Sequence, residues 1–201
     1  WWVCVWCLPW LAFRRAARKQ RGGEARGELV DVQGQLGRPL TGDGHIAFGG
    51  QFPKNEIFSG DSVEKTLYPP RLPAAWDGLT ILHVSDLHFH GTPSREYYEA
   101  IFDRCAAWKP DLVCVTGDVA DSETHHEWIA PLLGRLTWKA AAVAIMGNHD
   151  HRYDVEAIRG ELRKLGMLVL ANNWAELTVR GERLVVVGHE GPWLAGGVDL
   201  A

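Results

Sequence analysis

From Leu79 onward the chain alternates short apolar runs of β type with amphipathic helical patterns, and that alternation leaves few folds open. Residues 79–85, 112–116 and 141–146 predict strands; residues 94–108, 123–136 and 154–165 predict the helices that follow them. Strands separated by helices pair in parallel, so the fold class is α/β, a sheet covered by helices. In the first helix Tyr98, Ile101, Phe102, Cys105 and Trp108 recur at helical spacing and predict a buried face, with Ser94 as N-cap. The third helix turns Val155, Ile158, Leu162 and Leu165 inward and stops at Gly166. A short strand at 167–170 follows. A hairpin then joins 176–180 to 183–188, turning at Gly181-Glu182.

Three of these strands end in polar clusters, and in parallel α/β sheets the loops beyond the strand C-termini are where ligands bind. The clusters are Ser85-Asp86-Leu87-His88, Thr116-Gly117-Asp118 and Met146-Gly147-Asn148-His149-Asp150. Asp86 and His88, two positions apart, can converge on one ion. Gly117 lets the backbone turn tightly while the Asp118 carboxylate projects into the same crevice. Asn148 adds a neutral amide oxygen. Hard oxygens mixed with imidazole suit Mn, Fe or Zn better than Ca, and a carboxylate can bridge two ions. As a lone Gly-Asp the second cluster would read as a loop or cap; the ordered set of three does not.

At 201 residues, 46% hydrophobic and 23% charged, the chain can bury one ordinary core and is not a disordered polymer. A net charge of -4 argues against a nucleic-acid partner, which would be met by a basic face. The four cysteines include Cys4 and Cys7 in an N-terminal apolar run, which is no disulfide framework for a secreted domain. A Cys-x-x-Cys pair without a second pair nearby is equally poor as a zinc site.

That apolar run, residues 1–13, carries four tryptophans in its first ten positions and is followed by Arg14, Arg15, Arg18, Lys19 and Arg21. Tryptophan suits a bilayer interface, and a basic flank after the apolar stretch is the wrong order for a signal peptide. Thirteen apolar residues fall short of the roughly 20 needed to span a bilayer. Residues 1–20 are therefore expected to be part of a membrane anchor, with the catalytic domain on the cytoplasmic side by the positive-inside rule. Residues 21–75, rich in Gly, Pro and charge and without sustained period, are expected to form a linker and lead-in. The domain proper is expected over 76–201.

The series Asp-x-His, Gly-Asp, Gly-Asn-His-Asp, each after an apolar strand and about 30 residues apart, resembles the calcineurin-like metallophosphoesterase superfamily. The resemblance implies a four-layer α/β/β/α sandwich, incomplete in this chain, and two divalent metal ions. It implies that Asp86 and His88 hold the first ion, Asp118 bridges and Asn148 holds the second. His149 would serve at the leaving oxygen, oriented by Asp150. The cations would acidify a water that attacks phosphorus. The family's later histidines, including a Gly-His-x-His motif, would lie beyond Ala201, so residues 1–201 alone are expected to be inactive. His189 lacks the second histidine that would make it a substitute.

The stretch 72–79 and the apolar start resemble the membrane-anchored branch, some members of which cleave UDP-2,3-diacylglucosamine. The expected substrate is accordingly a phosphorylated small molecule or lipid-linked phosphate or diphosphate. A non-catalytic metal-binding scaffold and a soluble nucleotide phosphodiesterase are the alternatives. Among remaining polar residues, His90 and Arg152 flank the motifs as substrate-binding candidates; Arg95, His125, His126 and His151 compete with a bland surface reading. His83, inside a strand, is expected in the core or between layers.

Overall fold

Alternating aliphatic and polar residues decide which face of each strand is covered, and the helices decide where the polar strand ends lie. The computed structural model describes residues 23–44, 57–192 and 198. In chain order the elements are β1 (Gly23–Asp31), α1 (Val32–Leu36), β2 (Ser59–Leu67), β3 (Ile81–Val84), α2 (Arg95–Ala106), β4 (Leu112–Thr116), α3 (Ile129–Leu133), β5 (Ala141–Ile145), α4 (Val155–Lys164), β6 (Leu168–Val169), β7 (Asn173–Val179) and β8 (Glu182–Gly188). The α/β class expected from the sequence is the one observed.

Strands β3, β4, β5 and β6 pair in parallel in that order. The register sets Val84 beside Val115 and Thr116 beside Ile145, so three strands finish at one level. Right-handed crossovers between strands laid down in one direction put every helix on the same face. The core has that form: Leu82, Val84, Val113, Val115, Ala142 and Ala144 pack with Tyr98, Phe102, Ile129, Leu132, Leu133, Ile158 and Leu162. Their alternate neighbours lie on the helix-free face, where Ile81 is 55% exposed. His83 is on that face too. It is exposed, not buried, and its Nε2 pairs with Thr116 Oγ1 at 2.7 Å.

Local chemistry explains where the elements depart from expectation. The second helix is shorter than 123–136, running as a 3-10 turn over Glu123–Trp128 before α3 begins. Pro131 has no amide to give to the carbonyl four residues back, so a continuous α-helix cannot pass. Helix α2 ends at Ala106, because Lys109 precedes Pro110 and takes a positive φ of 47°. Trp108 therefore falls off the buried face and is 50% exposed. Helix α4 starts as expected, with the Asp154 carboxylate accepting from Ala157 N at 3.0 Å.

The β7–β8 turn lies one residue earlier than expected. Val179 pairs with Glu182, leaving Arg180 and Gly181 as a two-residue loop with φ of 53° and 82°. Two positive φ values are what a type I′ hairpin demands. Arg180 is held there by its side chain: Nη1 donates to Asp77 O at 2.6 Å, and Nη2 to Gly78 O at 2.8 Å and Asp111 Oδ2 at 3.0 Å.

Residues 21–75 hold more regular structure than a linker. The chain divides into two compact units, one of Trp1–Val30 with Asp61–Pro73, the other of Asp31–Gly60 with Ala74–Ala201. In the first, β1 and β2 form a two-stranded sheet. Both faces of β1 are exposed over most of its length, so its sequence carries no apolar alternation to read. In the second, Val32 and Leu40 are buried, Ser94 N donates to Leu40 O at 2.7 Å, and the Phe58 ring meets Tyr97 edge-on at 6.2 Å. Among the described residues no helix is long and apolar enough to cross a membrane. The apolar run 1–13, the basic cluster to Arg21, and Cys4 and Cys7 lie outside the described residues.

Candidate active site at the strand ends

The loops after β3, β4 and β5 interlock through their backbones before any side chain is considered. Asp86 N donates to Gly117 O at 3.1 Å, His88 N to Asp118 O at 2.9 Å and Phe89 N to Val119 O at 3.0 Å. Gly117 meets Gly147 so closely that a Cβ would lie 2.3 Å from Gly147 N, and a Cβ on Gly147 would lie 2.2 Å from Asp118 Oδ1. Only glycine fits either position. Asp86, His88 and Asp118 have φ of 56°, 45° and 53°. Left-handed non-glycine residues cost about 1 kcal/mol or more each and persist where surrounding structure over-determines them. Three expected ligands thus share the same strained geometry.

The side chains converge. His88 Nε2 lies 3.8 Å from Asp86 Oδ1 and 3.8 Å from Asp118 Oδ2. His88, Asp118 and His149 each offer one ligand atom within 4.8 Å of one another. The His88 and His149 rings meet edge-to-face at 4.7 Å. Asp118 Oδ1 accepts from His149 N at 2.9 Å, which ties the third loop to the second. Ser85 Oγ donates to Asp86 Oδ2, and the Asp86 side chain is largely exposed. Asn148 is half-buried between Gly147 and His149.

Asp121 is the site residue that sequence reasoning missed. Its Oδ1 lies 3.0 Å from His88 Nδ1 and 2.8 Å from His149 Nδ1. An ionised carboxylate can only accept, so both rings present Nδ1–H to it. Burial works to raise the Asp121 carboxyl, but the hydrogen bonds and charges of His88 and His149 outweigh it and hold the group below its usual range. The signal was the spacing Asp118-x-x-Asp121, which returns a second carboxylate to the same loop.

Asp150 does not orient His149, contrary to expectation. Its carboxylate faces the protein and accepts from Asp118 N, Val119 N and Gly147 N at 2.8 Å each, and from Ala120 N at 3.3 Å. It is fully buried, and burial raises its carboxyl against the pull of those amides. Asp150 is the splice between the second and third loops. The orienting contact to the His149 ring comes from Asp121.

The other candidates occupy less committed positions. His90 is half-buried and its Nδ1 accepts from Thr92 N at 3.2 Å. Arg152 is exposed on the 3-10 turn Asp150–Arg152, and Arg95 pairs with Glu99 along α2. His125 stacks edge-on against Trp128 at 4.6 Å, and His189 is exposed.

The donor set fits a divalent transition metal. Carboxylate oxygens stand beside a His88 Nε2 whose lone pair is freed because Nδ1 is engaged by a carboxylate, the usual second contact of a metal-bound imidazole. The comparisons agree: the family model described as calcineurin-like phosphoesterase matches residues 79–198, more than half of the chain. The chain belongs to the calcineurin-like phosphoesterase family. It is 28% identical over 123 residues to the uncharacterized metallophosphoesterase YkuE of Bacillus subtilis, covering 59% of this chain and 43% of that one. It is 27% identical over 117 residues to an uncharacterized metallophosphoesterase of Aquifex aeolicus, 57% of this chain and 44% of the other. To a protein of Danio rerio named transmembrane protein with metallophosphoesterase domain it is 29% identical over 109 residues, 53% and 25%. The chain spans less than half the length of these relatives. No solved structure matches.

Proposed function

We propose that the protein hydrolyses a phosphoester or diphosphate bond with the help of two divalent metal ions, manganese, iron or zinc. The observation that supports this most is the shared carboxylate: Asp121 engages Nδ1 of both His88 and His149, which leaves His88 Nε2 facing Asp86 and Asp118. In this reading Asp86 and His88 would hold one ion, Asp118 would serve both, and Asn148 would contribute to the second. Divalent cations bound there supply Lewis acidity toward phosphate oxygens and make a water acidic enough to serve as nucleophile.

The chain's own residues do the rest. Asp121 fixes the His149 ring through Nδ1, which leaves Nε2 to serve as the acid–base atom at the departing oxygen. Asp150 and Asp118 accept from Gly147 N and His149 N, which holds the backbone of the third loop and fixes where His149 stands. His90 and Arg152 flank this loop pair and are the proposed contacts to the rest of the substrate. We place that substrate at a membrane surface, as a lipid-linked phosphate or diphosphate, with the catalytic domain on the cytoplasmic side. The Trp-rich, Arg-flanked residues 1–21 and the transmembrane name of the fish relative support this placement.

Hydrolysis of bis-p-nitrophenyl phosphate by the full-length protein should vanish on chelation and return with manganese. Full activity in excess chelator would overturn the metal-dependent reading.

A further inference from the structure

Just past β8, Glu190 is 1% exposed, deep for a carboxylate. Its Oε1 accepts from Met146 N at 2.9 Å, and its Oε2 meets Arg159 Nη2 at 2.5 Å. Arg159 is itself only 6% exposed and sits on α4, immediately beyond the third site loop. Glu190 N donates to Asn172 Oδ1 at 2.7 Å, which ties it to the turn before β7. Its carboxylate thus grips both ends of one segment: Met146, where the Gly147-Asn148-His149 loop leaves β5, and Arg159, in the helix into which that loop runs.

The loop is held by three carboxylates in register. Met146 N is taken by Glu190, Gly147 N by Asp150 and His149 N by Asp118. Asp118 and Asp150 come from the site's own loops; Glu190 comes from the segment just past β8 and is the one external anchor of the three. Buried ion pairs are poor devices for stability alone, because desolvation offsets their attraction and apolar groups of similar size often do as well. They are good devices for orientation, since a carboxylate accepts an amide along a defined direction.

Resting on the hydrolase reading above, we propose that Glu190 is a positioning residue of the active site, setting the register of the Gly147-Asn148-His149 loop through Met146 N. Arg159 Nη2 pairs with Oε2 and keeps the carboxylate aimed. Among the described residues His151 Nε2, 3.4 Å from Glu190 Oε2, is the other side-chain nitrogen that faces it.

The test uses the full-length protein with manganese and three substitutions. Glu190→Leu keeps volume but offers no acceptor; Glu190→Gln keeps a carbonyl for Met146 N; Arg159→Met removes the ion pair and leaves that acceptor in place. Turnover of bis-p-nitrophenyl phosphate, manganese affinity by calorimetry, amide hydrogen exchange over 146–149 and thermal midpoint are measured for each. Glu190→Leu should speed exchange over 146–149 and lower kcat by about 10- to 100-fold, the size usual for a supporting contact, with KM nearly unchanged. Glu190→Gln should restore most of both. Arg159→Met should lower the thermal midpoint at least as far as Glu190→Leu while losing less kcat. The proposal is overturned if kcat follows the thermal midpoint across all three variants, or if Glu190→Leu leaves exchange over 146–149 as in the parent. Should the parent hydrolyse no phosphoester, the hydrolase reading fails, while exchange and manganese affinity in the Leu and Gln variants still decide the role of Glu190.

Discussion

At the scale of single residues, the site is built from close approaches that other side chains could not make. A methyl group on Gly147 would stand 2.2 Å from Asp118 Oδ1, so Gly147→Ala must push the carboxylate away. Manganese affinity, read by calorimetry, should fall by about 10- to 100-fold, as it does when the support of a ligand is disturbed. An unchanged affinity would show that Asp118 is not a ligand. His149 and Asp121 should separate by their readouts. His149→Gln should keep metal content and lower turnover by about 10² to 10⁴-fold, the range for an acid–base group. Asp121→Asn should lower both metal affinity and turnover, because Asp121 contacts both rings. Metal analysis beside rates distinguishes the two, and a metal-free His149→Gln protein would make His149 a ligand.

Between elements, Asp111 joins the start of β4 to the residue before β3 and to the β7–β8 turn. Its Oδ2 accepts from Thr80 N and Thr80 Oγ1 at 2.9 Å each and from Arg180 Nη2 at 3.0 Å, and its side chain is only 6% exposed. Burial would raise the Asp111 carboxyl, but Thr80 and the Arg180 guanidinium bring it down to about 2, from an ordinary 3.8. A group whose folded value is depressed adds stability above its unfolded value and loses it as pH falls through the folded one. The contribution, about 2 kcal/mol, should therefore be complete above pH ~4 and disappear toward pH ~2. Urea unfolding of the parent and Asp111→Asn at stepped pH checks this. Their difference should shrink over that window, and a difference independent of pH would remove Asp111 as its cause.

For the molecule as a whole, the proposed membrane surface is tested by its own segment. Each basic residue near an anionic leaflet contributes about 1 kcal/mol of attraction, and the cluster Arg14, Arg15, Arg18, Lys19 and Arg21 supplies five. The full-length protein should sediment with phosphatidylserine vesicles at low salt, and a form lacking residues 1–22 should not. The deletion stops there because β1 begins at Gly23. Equal sedimentation of both forms would remove the support for a lipid-linked substrate.

The order of strands and helices after Leu79, and the polar clusters at three strand ends, could be read from the sequence because periodicity and local turn chemistry are short-range properties. The clusters that hold Asp86, His88, Asp118 and His149 were legible for the same reason: each of these residues lies within four positions of the end of an apolar run. What only the tertiary structure decided are pairings between residues far apart in the chain. Asp121 reaches His149 across 28 positions and Glu190 reaches Met146 across 44. Asp150 stands next to His149 in sequence yet spends its carboxylate on the backbone of another loop. Which carboxylate meets which ring is set by how parallel strands bring their loops side by side, and local pattern holds no record of that.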